Sequence, residues 1–227
     1  MTTSQATTVA PSQTSIGGEE GPRTHGSVMS AASRLTRPRV LLASGAAYVA
    51  FAMVFFTTSL PFTIPRVEAV CRQAPPDVRF APSGSDVLRF LDACGVAGRE
   101  SYRNLQLADL AYPAVFGLFL AAALAFVISR LTRPDSRLLT LSVLPLLGAA
   151  FDYLENACAW LALAAHPEPT WASSLFGIAS AAKNITFWAA ALVLLGALGL
   201  LVTAKVRLAW RAAHADAGVR PADSGRR

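Results

Sequence analysis

The charged and amide side chains of two apolar segments are the residues best suited to chemistry in this sequence. Asp152, Glu155 and Asn156 occur in the run FDYLEN, at positions i, i+3 and i+4. That spacing puts all three on one face of a helix. A second apolar segment contains Lys183 and Asn184. Carboxylates beside an ammonium group in apolar surroundings are suited to general acid and base chemistry.

Lys183 is predicted to lie level with Asp152 and Glu155. The loop over residues 166–171 is so short that the two segments must be antiparallel neighbours. Counted along each helix, the three side chains lie roughly 15–20 Å from that loop. Two carboxylates and one ammonium leave one negative charge, so one carboxyl is protonated or another cation completes the cluster. Two interpretations stay open, a buried acid/base site and an ion pair that only fixes helix packing.

Other polar and aromatic residues extend this candidate site. Asp109 and Tyr112 begin another apolar segment, where they either anchor a helix at the membrane surface or form the polar mouth of a cavity. The candidate catalytic residues are Asp152, Glu155 and Lys183, and the candidate ligand-binding residues are Asp109, Tyr112, Asn156, Asn184 and Trp188. The sequence contains no zinc-ligand spacing, phosphate loop or nucleotide fingerprint, so neither a metal nor a cofactor is predicted.

Four long apolar segments must position these residues. They cover residues 40–62, 108–129, 138–165 and 172–204, and each is long enough to cross a hydrocarbon layer of about 30 Å. Apolar residues make up 53% of the chain and charged residues only 15%, which excludes an ordinary soluble domain. The sequence therefore predicts an all-α, integral membrane four-helix bundle over residues 34–211.

The basic residues indicate how the bundle is oriented. Arg39 precedes the first segment, Arg130 and Arg137 flank the short second loop, and Lys205 follows the fourth segment. The positive-inside rule then predicts a multi-pass protein of the cell membrane with both termini in the cytoplasm. The net charge of +6 is thus a topology signal that favours membrane lipids, not nucleic acid, as partners. Residues 1–33 and 212–227 are predicted to be disordered cytoplasmic tails.

The outer loop, residues 63–107, is predicted to form a small extracytoplasmic cap. A proline-rich stretch from Pro65 should run extended, and a short helix over residues 86–94 should stop at Gly95 before a second amphipathic stretch over residues 98–107. Cys71 and Cys94 both lie in this loop, where an oxidising compartment permits a disulfide. The alternative is two unpaired thiols.

The run GRESYRNLQLADLAYP, which ends at Pro113, and the run LPLLGAAFDYLENA resemble an uncharacterised family of small bacterial four-span membrane proteins. The resemblance covers most of the chain except its tails and groups six residues as one set: Tyr102, Asp109, Tyr112, Asp152, Glu155 and Asn156. It implies no activity. In architecture alone, the predicted bundle is also similar to the emopamil-binding isomerase group, in which four helices surround a lipid pocket with intramembrane carboxylates.

These features predict a membrane protein that binds a hydrophobic small molecule beside a buried acid/base cluster. If it is an enzyme, carboxylate acid/base chemistry suits an isomerase or a cyclase. One alternative is a proton- or ion-coupled transporter component, which four spans without a repeat could form only as a homo-oligomer. Another is a structural or accessory membrane subunit in which the cluster is a helix clamp.

Overall fold

The structure is a computed structural model that describes residues 32–133 and 136–218. These residues are almost entirely helical and contain no strand, which confirms the predicted all-α class. The helices are α1 (Pro38–Thr57), α2 (Ile64–Cys71), α3 (Gly84–Asp109), α4 (Tyr112–Leu131), α5 (Leu144–Ala165) and α6 (Trp171–Gly218). Short 3-10 helices cover Pro76–Val78 and Arg137–Val143. Most of the predicted N-terminal tail and the end of the predicted C-terminal tail lie outside the described residues.

Four helical stretches are long and apolar enough to cross a membrane: Pro38–Thr57, Gly84–Leu131, Arg137–Ala165 and Trp171–His214. The chain is therefore a multi-pass membrane protein by length and composition. Helices α5 and α6 form an antiparallel pair with the most extensive packing in the bundle. Helix α4 packs against α1, α5 and α6. Helix α1 lies at the edge of the bundle, and only 11% of its most apolar stretch is buried.

The helix boundaries differ from the predicted segments. Helix α1 ends at Thr57, and α4 begins at Tyr112 after a turn at Leu110 and Ala111. The third segment starts as a 3-10 helix, and Pro145 lies in the first turn of α5, where it breaks no helical hydrogen bond. Helix α6 runs beyond the fourth segment into the region assigned as a tail.

The cap consists of α2, the 3-10 helix Pro76–Val78 and α3. The prediction that the chain runs extended from Pro65 is wrong, because this proline occupies the first turn of α2. Helix α3 starts with a capping box between Ser83 and Asp86. The predicted stop at Gly95 is a kink with φ of 60°, after which α3 continues to Asp109. Glycine tolerates this left-handed conformation, so the two predicted helices form one bent element.

The cap is fixed to the bundle by apolar packing and by one covalent link. Its Val67, Phe90 and Leu91 are buried in a cluster with Phe176 of α6 and Cys158 of α5. A disulfide joins Cys71 to Cys94, as the sequence predicts, and ties α2 to α3.

Close backbone approach also holds the cap on α6. The Ser180 hydroxyl donates to the Arg79 carbonyl at 2.9 Å. A Cβ at Gly177 would lie 2.1 Å from the Pro82 carbonyl oxygen, so only glycine fits at this contact. The cap-side ends of α5 and α6 therefore pack against the cap.

Candidate functional site

Lys183 is held between two carboxylates on the facing helix. Its Nζ lies 3.2 Å from Oδ1 of Asp152 and forms a closer ion pair with Oε2 of Glu155. The exposed fraction is 1% for Asp152 and 0% for Glu155. The i, i+3 spacing on α5 turns both carboxylates toward α6, so the pattern predicted the common level of the three groups correctly.

A cavity of about 370 Å³ begins beside this cluster. Its polar wall combines residues of the cap, α3, α5 and α6, namely Asp77, Asp109, Asp152, Lys183 and Asn184. The Asn184 amide donates to the Ser180 carbonyl of its own helix at 2.9 Å. A cavity of this size lies within the range of small-molecule sites, which are mostly apolar with a few convergent polar groups.

Aromatic rings form most of the remaining wall. They come from α1, α4 and α6 and are Phe55, Phe56, Tyr112, Phe116, Phe187 and Trp188. The Tyr112 and Phe116 rings stack with centroids 5.5 Å apart, and the Phe187 ring lies 4.8 Å from that of Phe116. The cavity thus lies between α1 and α6, with α4 as its base, and ends at Trp188, whose side chain is 68% exposed on the outer surface of α6.

Asp109 faces the same cavity from the end of α3. It is only 6% exposed, and no described lysine or arginine lies within ion-pair distance. The Asn156 amide has no hydrogen-bond partner among the described residues. Asn156 itself is buried and does not line the cavity. Asn156 therefore does not contact the cavity directly.

Asp77 is a charged cavity residue that was not a candidate from the sequence, and neither were apolar lining residues such as Phe116 and Phe187. It lies on the 3-10 helix of the cap, where Tyr102 Oη and Gln106 Nε2 each donate to it at 3.3 Å. Burial raises the pKa of the Asp77 carboxyl above its usual value. The only local signal is the preceding Pro75 and Pro76, which favour a short turn but do not show that the turn points into the bundle.

The predicted residues fall into two groups around the cavity. Asp109, Tyr112, Asp152, Lys183, Asn184 and Trp188 line it, and all six were candidates from the sequence. Glu155 and Asn156 lie behind this wall, fully enclosed by protein. Glu155 therefore contacts the cavity only through Lys183.

The other half of the bundle is apolar. Leu120, Leu124 and Ile128 of α4 form a buried cluster with Leu139 and Ala190. The buried Ser142 donates its hydroxyl to the carbonyl of Leu139, one turn earlier, at 2.7 Å. Ser44 of α1 and Thr186 of α6 are also buried, and their hydroxyls donate to carbonyls of their own helices. Among the described residues, this half of the bundle therefore contains no buried charged side chain.

The distance to that basic end locates the site along the bundle. At about 1.5 Å per residue, Lys183 lies about 33 Å from Lys205 on α6, and Tyr112 lies about 27 Å from Arg130 on α4. Both distances match a hydrocarbon layer of about 30 Å. The charged cluster therefore lies about one hydrocarbon thickness away from the basic residues of α4 and α6.

No group of three or more metal-ligating side chains with suitable geometry occurs within residues 32–133 and 136–218. The site thus consists of carboxylates, one ammonium, amides and aromatic rings. Comparisons with protein-family models, with curated proteins and with solved structures found no match to this chain.

Proposed function

We propose that this multi-pass membrane protein binds a hydrophobic small molecule in the cavity between α1 and α6. The observation that carries the proposal is the composition of the cavity wall, in which six aromatic rings lead to a cluster of charged groups. An apolar molecule with one polar end matches this division. The cavity lies between α1 and α6 and reaches the exposed Trp188 on the outer surface of α6. The ligand would therefore enter sideways, from the lipid phase beneath the cap.

The proposal includes an orientation. The disulfide supports a cap on the extracytoplasmic side, where thiols are oxidised, and the basic residues at the other end support cytoplasmic termini. The ligand would then come from the outer leaflet of the cell membrane.

The acid/base chemistry of an isomerase or cyclase would fall to Asp152, not to Glu155. Asp152 lines the cavity and hydrogen-bonds Lys183, so it can exchange a proton with a bound molecule. Glu155 would hold Lys183 in position from behind. In an isomerisation, a protonated Asp152 would donate its proton to one carbon of a double bond in the bound molecule. The carboxylate of Asp109, which also lines the cavity, would remove a different proton from the neighbouring carbon, and the double bond would shift.

A transporter function has less support. Translocation of protons or ions requires polar groups along the whole path, whereas the inner half of the described bundle is packed with aliphatic side chains. A purely structural role also has less support, because a helix clamp needs one carboxylate for one lysine and no cavity.

Photolabelling tests the binding proposal. Purified protein in phosphatidylcholine nanodiscs would be labelled with dodecanol that carries a diazirine in its alkyl chain, and adducts mapped by peptide mass spectrometry. We expect saturable labelling of the α4 peptide that contains Phe116. Ala191→Phe, which fills the cavity, should lower this labelling at least fivefold. Leu192→Phe on the lipid-facing surface is the matched control and should change it less than twofold.

Labelling that rises linearly with probe, or that is equal in the two variants, would show lipid-phase contact only and would refute the binding proposal.

A further inference from the structure

The charges around the cavity do not balance within the protein. Three carboxylates line the cavity, those of Asp77, Asp109 and Asp152. A fourth, that of Glu155, lies behind the wall in contact with Lys183. Lys183 is the one described cation that contacts any of them. Asp152 and Glu155 share this ammonium, so its charge is already matched. Asp77 and Asp109 remain as acids with no described cation in contact.

From this imbalance we propose that the ligand is an amphiphilic cation whose ammonium head binds between Asp109 and Asp77. This inference rests on the proposed ligand cavity and specifies the chemical class of its occupant. Asp109 is the central residue of this proposal. It is only 6% exposed and lines the cavity, and no described cation lies within ion-pair distance of it. A buried carboxylate of this kind is costly unless a positive charge or a proton compensates it.

The aromatic residues next to Asp109 fit the same head group. Tyr112 follows Asp109 by one helical turn, and its ring faces the cavity together with Phe55 and Phe116. Ring faces attract cations within about 6 Å, and recognition of quaternary ammonium groups commonly combines such rings with an acidic residue. The alkyl part would then extend along Phe187 and Trp188 toward the lipid phase.

The cavity is unsuited to anionic or phosphate-bearing heads. Its only described cation is Lys183, and two carboxylates already flank that group. An added phosphate or carboxylate would lie near four acids. The proposal therefore commits to a lone ammonium group and excludes a zwitterionic phospholipid head.

Competition among amphiphiles with one common tail tests the head-group preference. The diazirine dodecanol of the binding experiment serves as the reporter, and unlabelled dodecyltrimethylammonium, dodecanol, dodecanoate and dodecylphosphocholine serve as competitors. Competitor amounts are expressed as measured mole fractions in the nanodisc, which removes differences in partitioning. We expect dodecyltrimethylammonium to compete at least tenfold better than dodecanol, and the other two to compete no better than dodecanol.

Two variants locate the effect. Asp109→Asn should reduce the preference for the ammonium over dodecanol to less than threefold while dodecanol still competes. Asp77→Asn should reduce it partly. Glu100→Gln removes an exposed acid of the same helix that does not line the cavity, and it should keep the full preference.

The outcomes separate the two proposals. Absence of saturable labelling in the wild-type protein refutes the ligand cavity itself. Saturable labelling supports the cavity, but the ammonium proposal is overturned if dodecanol, dodecanoate or dodecylphosphocholine competes as well as dodecyltrimethylammonium or better. An ammonium preference that survives in both Asp109→Asn and Asp77→Asn also overturns it, because the selectivity would then arise elsewhere.

Discussion

Removal of the Lys183 charge should strongly destabilise the bundle. The Lys183→Met side chain keeps most of the apolar volume but leaves Asp152 and Glu155 facing each other with exposed fractions of 1% and 0%. At 3.2 Å and an effective dielectric constant of about 20, the interaction with Asp152 alone corresponds to roughly 5 kcal/mol before desolvation is subtracted. Loss of one partner from a buried pair costs about 3–5 kcal/mol in practice, and we expect a loss of that size.

The measurement is the free energy of unfolding in mixed micelles, followed by circular dichroism. Lys205→Met is the matched control, since Lys205 is an exposed residue of the same helix and should change stability by about 0.5 kcal/mol or less. The triple variant Asp152→Asn, Glu155→Gln, Lys183→Met removes all three charges and should recover more than half of the loss. If the single variant is as stable as the wild-type protein, or the triple variant is as unstable as the single one, uncompensated charge is not the cause and the reasoning is wrong.

Three further predictions concern the cap. Gly177→Ala should lower stability by about 1–3 kcal/mol because the new methyl group would meet the Pro82 carbonyl, whereas Gly196→Ala, with no atom within 4 Å, should be neutral or slightly stabilising in the same thermal assay. Asp77→Asn loses one acceptor for Tyr102 or Gln106, and its effect on the melting temperature should be more favourable at pH 8 than at pH 5. Burial raises the pKa of Asp77, so its ionised form destabilises the folded state increasingly as pH rises. A melting temperature that benefits less from Asp77→Asn at pH 8 than at pH 5 would contradict this. Cys71→Ser with Cys94→Ser should cost about 3 kcal/mol through loss of the cross-link, and the reductant sensitivity of the melting temperature should disappear with it.

The sequence predicted the parts of the site that depend on helical periodicity. Asp152, Glu155 and Lys183 could be assigned to one level because the 166–171 loop allows only one arrangement of α5 and α6. Periodicity could not show that Glu155 lies behind Lys183, since that depends on the rotation of α5 against α6. It could not show Asp77 either, because the path of the cap depends on long-range packing of Val67, Phe90 and Phe176.

Depth in a membrane does not follow from the position of a residue along an apolar segment. Length and hydropathy show that a helix can cross a membrane, but not which of its turns lie within it. The turns of α5 and α6 nearest the cap are apolar because they pack against the cap. From the sequence alone, such turns cannot be distinguished from turns that face lipid. Measured from the basic end instead, Lys183 lies about 33 Å from Lys205, close to the thickness of a hydrocarbon layer.

If Lys183 lies near the edge of the hydrocarbon layer, fewer charged partners are needed to hold it in the bundle. A charge at the centre of a bilayer costs about 2.5–3.5 kcal/mol on insertion scales, and such a residue requires a partner merely to be tolerated. At the boundary the cost is smaller, so a clamp of one lysine and one carboxylate would suffice. In addition to the Lys183 pairs, Asp109 and Asp77 line the same cavity without a described cation in contact with either of them. A clamp of one lysine and one carboxylate does not need these two acids, and the cationic ligand proposed above would compensate their charge.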